Sequence, residues 1–233
     1  MTTVDQNKLS NIPNEVRIII GILIFGSIWG FLEATLGGFL HMIVFPNKGA
    51  IMSGIGVAIM ASALAVYRKP VMLPGIGIVA ALFKLLDVWL FSLPIGSIHI
   101  INPAMAIVFE SLAFGLVATA IMNRMTKNTF IGIGAGALVG LTSAVAWVYF
   151  AIYVMNAPAY ARVVFTAGEY ISNQGVLQAV FSAIFLPLGY LVGEKLAART
   201  PTLLSRRPVY YAVSASAVVF CWGISALALM AGL

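Results

Sequence analysis

Four ionisable residues fall deep inside apolar stretches of this chain: Glu33, Lys84, Asp87 and Glu110. A charge at the centre of a membrane helix costs about 2.5–3.5 kcal/mol on insertion scales before pairing, so each needs a partner or a use. Three carboxylates against one lysine leave a formal surplus of two negative charges. Protonation of a carboxyl, a bound cation or an amine-bearing ligand would each relieve it. Lys84 and Asp87 are three residues apart and share one side of a helix. Glu33, Gly37 and His41 recur at fourth-residue intervals, giving one helical stripe an acid, a gap and an imidazole. Two readings stand. Lys84 with a single carboxylate makes a neutral clamp between helices, and a protonated Glu110 bonds across an interface. Alternatively the four line a polar pocket open to the outside, which accounts for a cluster larger than a clamp requires.

Other chemistries find less support. His41 and His99 with Glu33, Asp87 or Glu110 could assemble a cation site, yet no HxxxH or ExxH ligand spacing is present. The two histidines sit near one face only, which is not how a bundle holds haem. A phosphate-binding loop ending in Lys-Ser/Thr, a Gly-x-Ser-x-Gly elbow, a His-Glu-x-x-His helix and a paired-Asp motif are all missing. The expectation is a protein without catalytic residues or a cofactor. The lone Cys221 lies in an apolar run and packs as a small hydrophobe.

The elements that must carry these residues are membrane helices. Of 233 residues, 61% are hydrophobic and 9% charged, where an average soluble domain carries roughly a quarter charged. A helix needs about 20 residues to cross the hydrocarbon, and Pro, Gly, Asn and basic clusters punctuate the chain at that interval. Seven spans follow: Ile18–Phe45, Ala50–Val66, Val71–Leu93, a fourth from Asn102-Pro103 to Asn123, Thr129–Met155, Asn173–Gly193 and Val209–Gly232. The first is too long for one straight crossing, and Gly37-Gly38 is the expected bend or break. Residues 1–17 read as a cytoplasmic tail, 18–208 as a six-helix membrane core and 209–233 as an added seventh helix. The fold class is therefore an all-α bundle of about seven transmembrane helices.

Loop charges give the orientation. By alternation, one face receives Lys8, Arg17, Arg68, Lys69, Arg124, Lys127, Lys195, Arg199, Arg206 and Arg207; the other receives Lys48 and Arg162. Cytoplasmic loops carry the excess of Lys and Arg, so the amino terminus is expected inside and the carboxyl terminus outside a plasma membrane. The net charge of +6 is explained by these loops, without nucleic acid. All four buried charges then lie in the middle to outer half of the bilayer. The outer connections from Phe91 to Asn102 and from Met155 to Ser172 add His99, Asn102, Tyr160, Arg162, Glu169 and Tyr170.

An internal echo links the two halves. Glu33-Ala34 with Gly38 resembles Glu110-Ser111 with Gly115, and each is followed by Gly-Ile-Gly, at Gly54–Gly56 and Gly132–Gly134. The units would open three spans each in opposite directions, the pattern of a 3+3 inverted repeat; chance similarity among small residues explains it equally well.

The first helix also spaces Gly26, Gly30 and Ala34 by four, which lets two helices approach closely in lipid. The strip serves either packing inside the bundle or docking of a partner subunit. With a cytoplasmic amino terminus and an outward polar pocket, it resembles the substrate-binding S components of energy-coupling factor transporters, over Ile18 to about Gly193. The resemblance implies capture of a vitamin or metal ion from outside, and a small-residue strip facing a coupling membrane subunit driven by separate ATPases. Glycine replaces the family's alanine, and a seventh span follows Arg207-Pro208.

The expected function is a solute-binding membrane subunit of an uptake system for a cation or small zwitterionic nutrient. Its expected contacts are Glu33 and Glu110, with Lys84 and Asp87 as a tuning charge pair and His41, His99 and Asn102 at the entrance. Two other classes remain: a non-catalytic subunit scaffolding a respiratory or metalloenzyme complex, and a membrane enzyme of unrecognised type.

Overall fold

In lipid a backbone N–H or C=O without an internal partner costs several kcal/mol, so long apolar runs close their hydrogen bonds as helices. The computed structural model describes residues 12–125, 128–155, 166–204 and 207–232, apart from the side chains of residues 99 and 201–204. The tail up to residue 11, Lys127, Tyr160, Arg162 and Arg206 lie outside the described residues. The helices are α1 (Asn14–Met42), α2 (Lys48–Tyr67), α3 (Leu73–Leu82), α4 (Leu85–Phe91), α5 (Ile98–Met125), α6 (Thr129–Tyr153), α7 (Ala167–Tyr170), α8 (Val176–Leu204) and α9 (Arg207–Met230). No strand occurs among the described residues. Seven helical stretches are long and apolar enough to cross a membrane, with α3 and α4 forming the third and α7 and α8 the sixth. The chain is thus all-helical and compatible with a multi-pass membrane protein.

Three details differ from the sequence expectation. Helix α1 runs unbroken past Gly37-Gly38 to Met42. The third span, expected to be continuous, is the one interrupted, at Phe83-Lys84. There Phe83, Lys84 and Leu86 donate their backbone N–H groups to Ala80, Ala81 and Phe83 at 3.2, 3.0 and 3.0 Å, a tightened i−3 pattern replacing the α-helical i−4 one. No Pro or Gly lies at the break. Helix α5 starts at Ile98, ahead of the expected entry, so Pro103 is inside it. In the sixth span a π-helical turn, Ile171–Gly175, joins α7 to α8.

Helices α2, α6 and α8 are joined by glycine. A Cβ on Gly189 would strike the Ala58 backbone, one on Gly193 the Ser62 backbone, and one on Gly136 the Ser182 carbonyl. Only glycine permits helix axes so close, and van der Waals contact gains accordingly. Ser62 adds a hydrogen bond across the seam, its hydroxyl donating to the Gly189 carbonyl at 2.7 Å. The buried centre continues through Met60, Leu64, Ile76, Phe114 and Val139 to Trp29.

Helix α3 joins α1 to α5, and α9 lies along α1 and touches α4. The pairing pattern does not exchange the two proposed halves: α2 makes its broadest interface with α8, whereas its counterpart α6 makes none of that kind with α3. At one end of the bundle Arg17, Tyr67 and Tyr210 meet, and Arg68 pairs with Glu194 at 3.7 Å. The starts of α1 and α9, the end of α2 and the later half of α8 therefore share that end. Arg68 closes α2 in the left-handed conformation, φ 55°, with its N–H on the Leu64 carbonyl.

Candidate functional site

The four ionisable residues come from three different spans and gather beside the interruption. Glu33 stands on α1, Lys84 in the break itself, Asp87 in the first turn of α4 and Glu110 on α5. Lys84 is within electrostatic reach of both Glu33 and Asp87, and Glu33 within reach of Glu110. No pair among them closes to an ion pair of 4.0 Å or less. They are graded by depth: Glu33, Lys84 and Asp87 are half-buried, while Glu110 is 6% exposed. Three of the charges are thus partly open and one is sealed.

Local sequence explains the placement of each. The Glu33 carboxylate folds back over Gly37, where a Cβ would sit 3.4 Å from its Oε2; the missing side chain makes the space. Trp29, one turn earlier on the same face, is fully buried and lies beside Glu33. Gly56 on α2 lets that indole and Glu110 crowd one spot: a Cβ there would lie 2.5 Å from Trp29 Cζ2 and 2.6 Å from Glu110 Oε1. Ser53, one turn before Gly56, is buried beside Glu110. Trp29 faces the Glu33 carboxyl and Ser53 the Glu110 carboxyl, while Trp29 Nε1, Ser53 Oγ and Glu110 Oε1 close no hydrogen bond of good geometry among the described residues. The polar groups of this buried cluster are thus one another's partners, Trp29 with Glu33 and Ser53 with Glu110, because leaving any of them alone would cost about 1–3 kcal/mol.

The break is clamped from both sides. Phe83, 1% exposed, presses on Gly30 of α1 and stacks on Trp222 of α9, with ring centroids 4.1 Å apart and 37° between planes. The seventh helix thus contacts the residue next to Lys84. Nothing in the spacing of Trp222 announced this.

Some expected contacts fall elsewhere. His41 is exposed and its Nδ1 meets Lys48 Nζ at 2.6 Å, which ties the end of α1 to the start of α2. Asn102 is half-buried two turns before Glu110 on α5, and its side chain makes no hydrogen bond among the described residues. His99 lies in the first turn of α5, with its side chain outside the described residues. The strip of Gly26, Gly30 and Ala34 is buried; Gly26 receives Ile76 and Val79, and Gly30 receives Phe83, all from the third span of the same chain. It packs within the bundle and leaves no open face there for another subunit.

The inner end of the cluster is packed shut rather than hollow, because Trp29 and Glu110 close against Gly56. A groove of about 470 Å³ lies instead at the far end of α5, lined by Pro70, Val71, Thr119, Met122, Asn123 and Arg124. None of the four buried charges lines it. Among the described residues no three His, Cys, Asp or Glu side chains gather closely enough to hold a metal ion.

Trp29, Ser53 and Gly56 are the site residues that residue spacing missed. Trp29 was readable in principle, being four residues before Glu33. Ser53 and Gly56 belong to a helix whose one charged residue, Lys48, is at its very start, and only tertiary contact brings them to Glu110. Comparison of the chain with known protein families, characterised proteins and solved structures finds no match.

Proposed function

We propose that this protein is a solute-binding membrane subunit of an uptake system, taking a small nutrient from the outer side of a plasma membrane. The observation that carries the reading is the gathering of Glu33, Lys84, Asp87 and the buried Glu110 from three spans beside a break in the third. Interrupted membrane helices free backbone groups and place hinges where solutes bind in many transporters. A pure clamp would have brought Lys84 onto one carboxylate, and no such ion pair has formed. The surplus of negative charge favours a ligand that brings positive charge.

Orientation follows from the basic end. Arg17, Arg68, Lys69, Arg124, Lys195, Arg199 and Arg207 flank the apolar stretches on one face by alternation, which supports an amino terminus in the cytoplasm and a carboxyl terminus outside. The site then opens outward, past Asp87 and Lys84. On the likeness to energy-coupling factor S components, a coupling subunit and ATPases supply the drive. With the α1 strip filled by α3, such a subunit would dock on another face.

Gentle detergent extraction of the full chain, with mass spectrometry of retained small molecules and proteins, tests this. Wild type is expected to retain a small solute that the double variant Glu33→Gln, Glu110→Gln loses, and to bring ATPase partners. Identical retention by both proteins would overturn the reading. Redox subunits in place of ATPases would favour the scaffold of a respiratory or metalloenzyme complex.

A further inference from the structure

The groove at the far end of α5 lies among basic residues, away from the four buried charges. Its walls are Pro70 and Val71, which follow α2, and the last two turns of α5. At about 470 Å³ it falls within the range of small-molecule sites, about 300–1,000 Å³. Its polar side chains are Thr119, Asn123 and Arg124, and no acid lines it. The Thr119 hydroxyl donates to the Gly115 carbonyl at 2.7 Å. Asn123 and Arg124 are exposed, and neither side chain meets a partner among the described residues. Lys69, exposed directly before Pro70, adds a second cation.

Beyond the groove α5 changes character. Leu112, Leu116, Ala120 and Asn123 recur at helical spacing on one uncovered stripe, with Leu116 72% and Leu112 41% exposed. The stripe stops there, since Val108 and Phe109 are half-buried. From Asn123 to Leu112 a helix rises about 16 Å, close to half of a hydrocarbon core about 30 Å thick. Polar end and apolar stripe together match a molecule with an anionic head and a tail one leaflet long.

We propose that this groove binds one anionic phospholipid from the leaflet at the bundle's basic end. Its phosphate lies on Arg124 and Asn123 with Lys69 beside it, and an acyl chain runs along Leu116 and Leu112. The guanidinium and the amide donate to phosphate oxygens, a charge-assisted contact to which arginine's planar fork is suited. The carbonyl end of α5 carries about half a negative charge; Arg124 offsets it, and Lys69 leaves the site net positive. A free phosphate would use the head of the groove and not the stripe. An acidic segment of a partner protein would meet the same cations, but has no need of a bare stripe that ends at one leaflet's depth. The site is separate from the solute cluster and does not depend on the uptake reading.

The test uses the full chain in maltoside detergent, with native mass spectrometry against phosphatidylglycerol, phosphatidylcholine of the same acyl chains and inorganic phosphate. One phosphatidylglycerol per chain is expected, held about tenfold or more tightly than phosphatidylcholine. Arg124→Gln and Lys69→Gln should each weaken it by about fivefold. Leu116→Asn should weaken both lipids alike, because it touches the tail. Arg199→Gln, at the same end of the bundle and outside the groove, should leave binding unchanged. All four residues are at the surface, so unfolding temperatures near wild type confirm that each variant is folded. Equal retention of the two lipids would overturn the proposal. So would equal weakening by Arg199→Gln and Arg124→Gln, which would mean a diffuse field and no site. Displacement of phosphatidylglycerol by inorganic phosphate would replace the lipid with a free anion. A photocrosslinker at position 116 is expected to capture lipid in cell membranes; capture of a polypeptide in its place would give the groove to a partner protein and overturn the lipid assignment.

Discussion

The seam of α2, α6 and α8 and the junction of α1, α3, α4 and α5 solve the same problem in opposite ways. Helices in lipid gain little from hydrophobic burial against each other, since the tails are as apolar as their side chains. The seam answers with glycine, bringing backbone onto backbone at Gly136, Gly189 and Gly193 and adding the Ser62–Gly189 hydrogen bond. The junction instead accepts a broken helix and four ionisable side chains. One region is closed backbone on backbone, with only small hydroxyls such as those of Ser62 and Ser182 inside it. The other gathers charge around an interrupted helix.

Replacing Gly189 by Leu would most severely test that contrast. With the Ala58 backbone in the way, the α2–α8 interface should open, at a cost of about 3 kcal/mol or more. Thermal unfolding in detergent should show loss of the folded protein. A tolerated leucine would mean the seam is looser than its geometry.

Glu110→Gln should do the reverse. Solute retention should fall by about tenfold, equivalent to about 1.4 kcal/mol of binding, while the unfolding temperature stays close to wild type because the amide is isosteric with the acid it replaces. Parallel loss of fold and retention would make Glu110 a structural group and erase the distinction between the regions.

The Phe83–Trp222 contact links the charged junction to α9, and Trp222→Ala should cost about 1 kcal/mol for the aromatic pair beyond the burial it loses. Hydrogen exchange should rise at residues 83–87 and remain unchanged at Gly189 and Gly193. Equal rises in both places would show that the seam and the junction unfold together.

The smallest effect is expected at the basic end. The Arg68–Glu194 pair is about half exposed on both sides, so Arg68→Ala should change stability by less than about 0.5 kcal/mol. A larger change, read by the same unfolding assay, would make that end a third stabilising region.

Much of this arrangement was legible in residue order. Seven apolar stretches and their punctuation gave the helices, because a membrane admits a long apolar run only as a closed hydrogen-bonded element. The cost of burying charge singled out Glu33, Lys84, Asp87 and Glu110, and Lys84 and Asp87 lie within electrostatic reach although the helix expected to carry both is interrupted at Lys84. Period-four reasoning also found the Gly26–Gly30 strip, although it could not say which helix fills it. His41 shows the limit of such reasoning: it shares a stripe with Glu33, yet Lys48 at the start of α2 engages it.

What sequence alone determined is the inventory: how many helices, how apolar, and which side chains are too polar for their surroundings. Those follow from transfer free energies and helical periodicity, which act within one segment. Tertiary structure decided the rest: the break at Phe83-Lys84 without Pro or Gly, the closure of Gly56 on Trp29 and Glu110, and the clamp of Trp222 on Phe83. Each depends on atoms from helices far apart in the chain, whose meeting is set by packing between segments rather than by the preferences of any one.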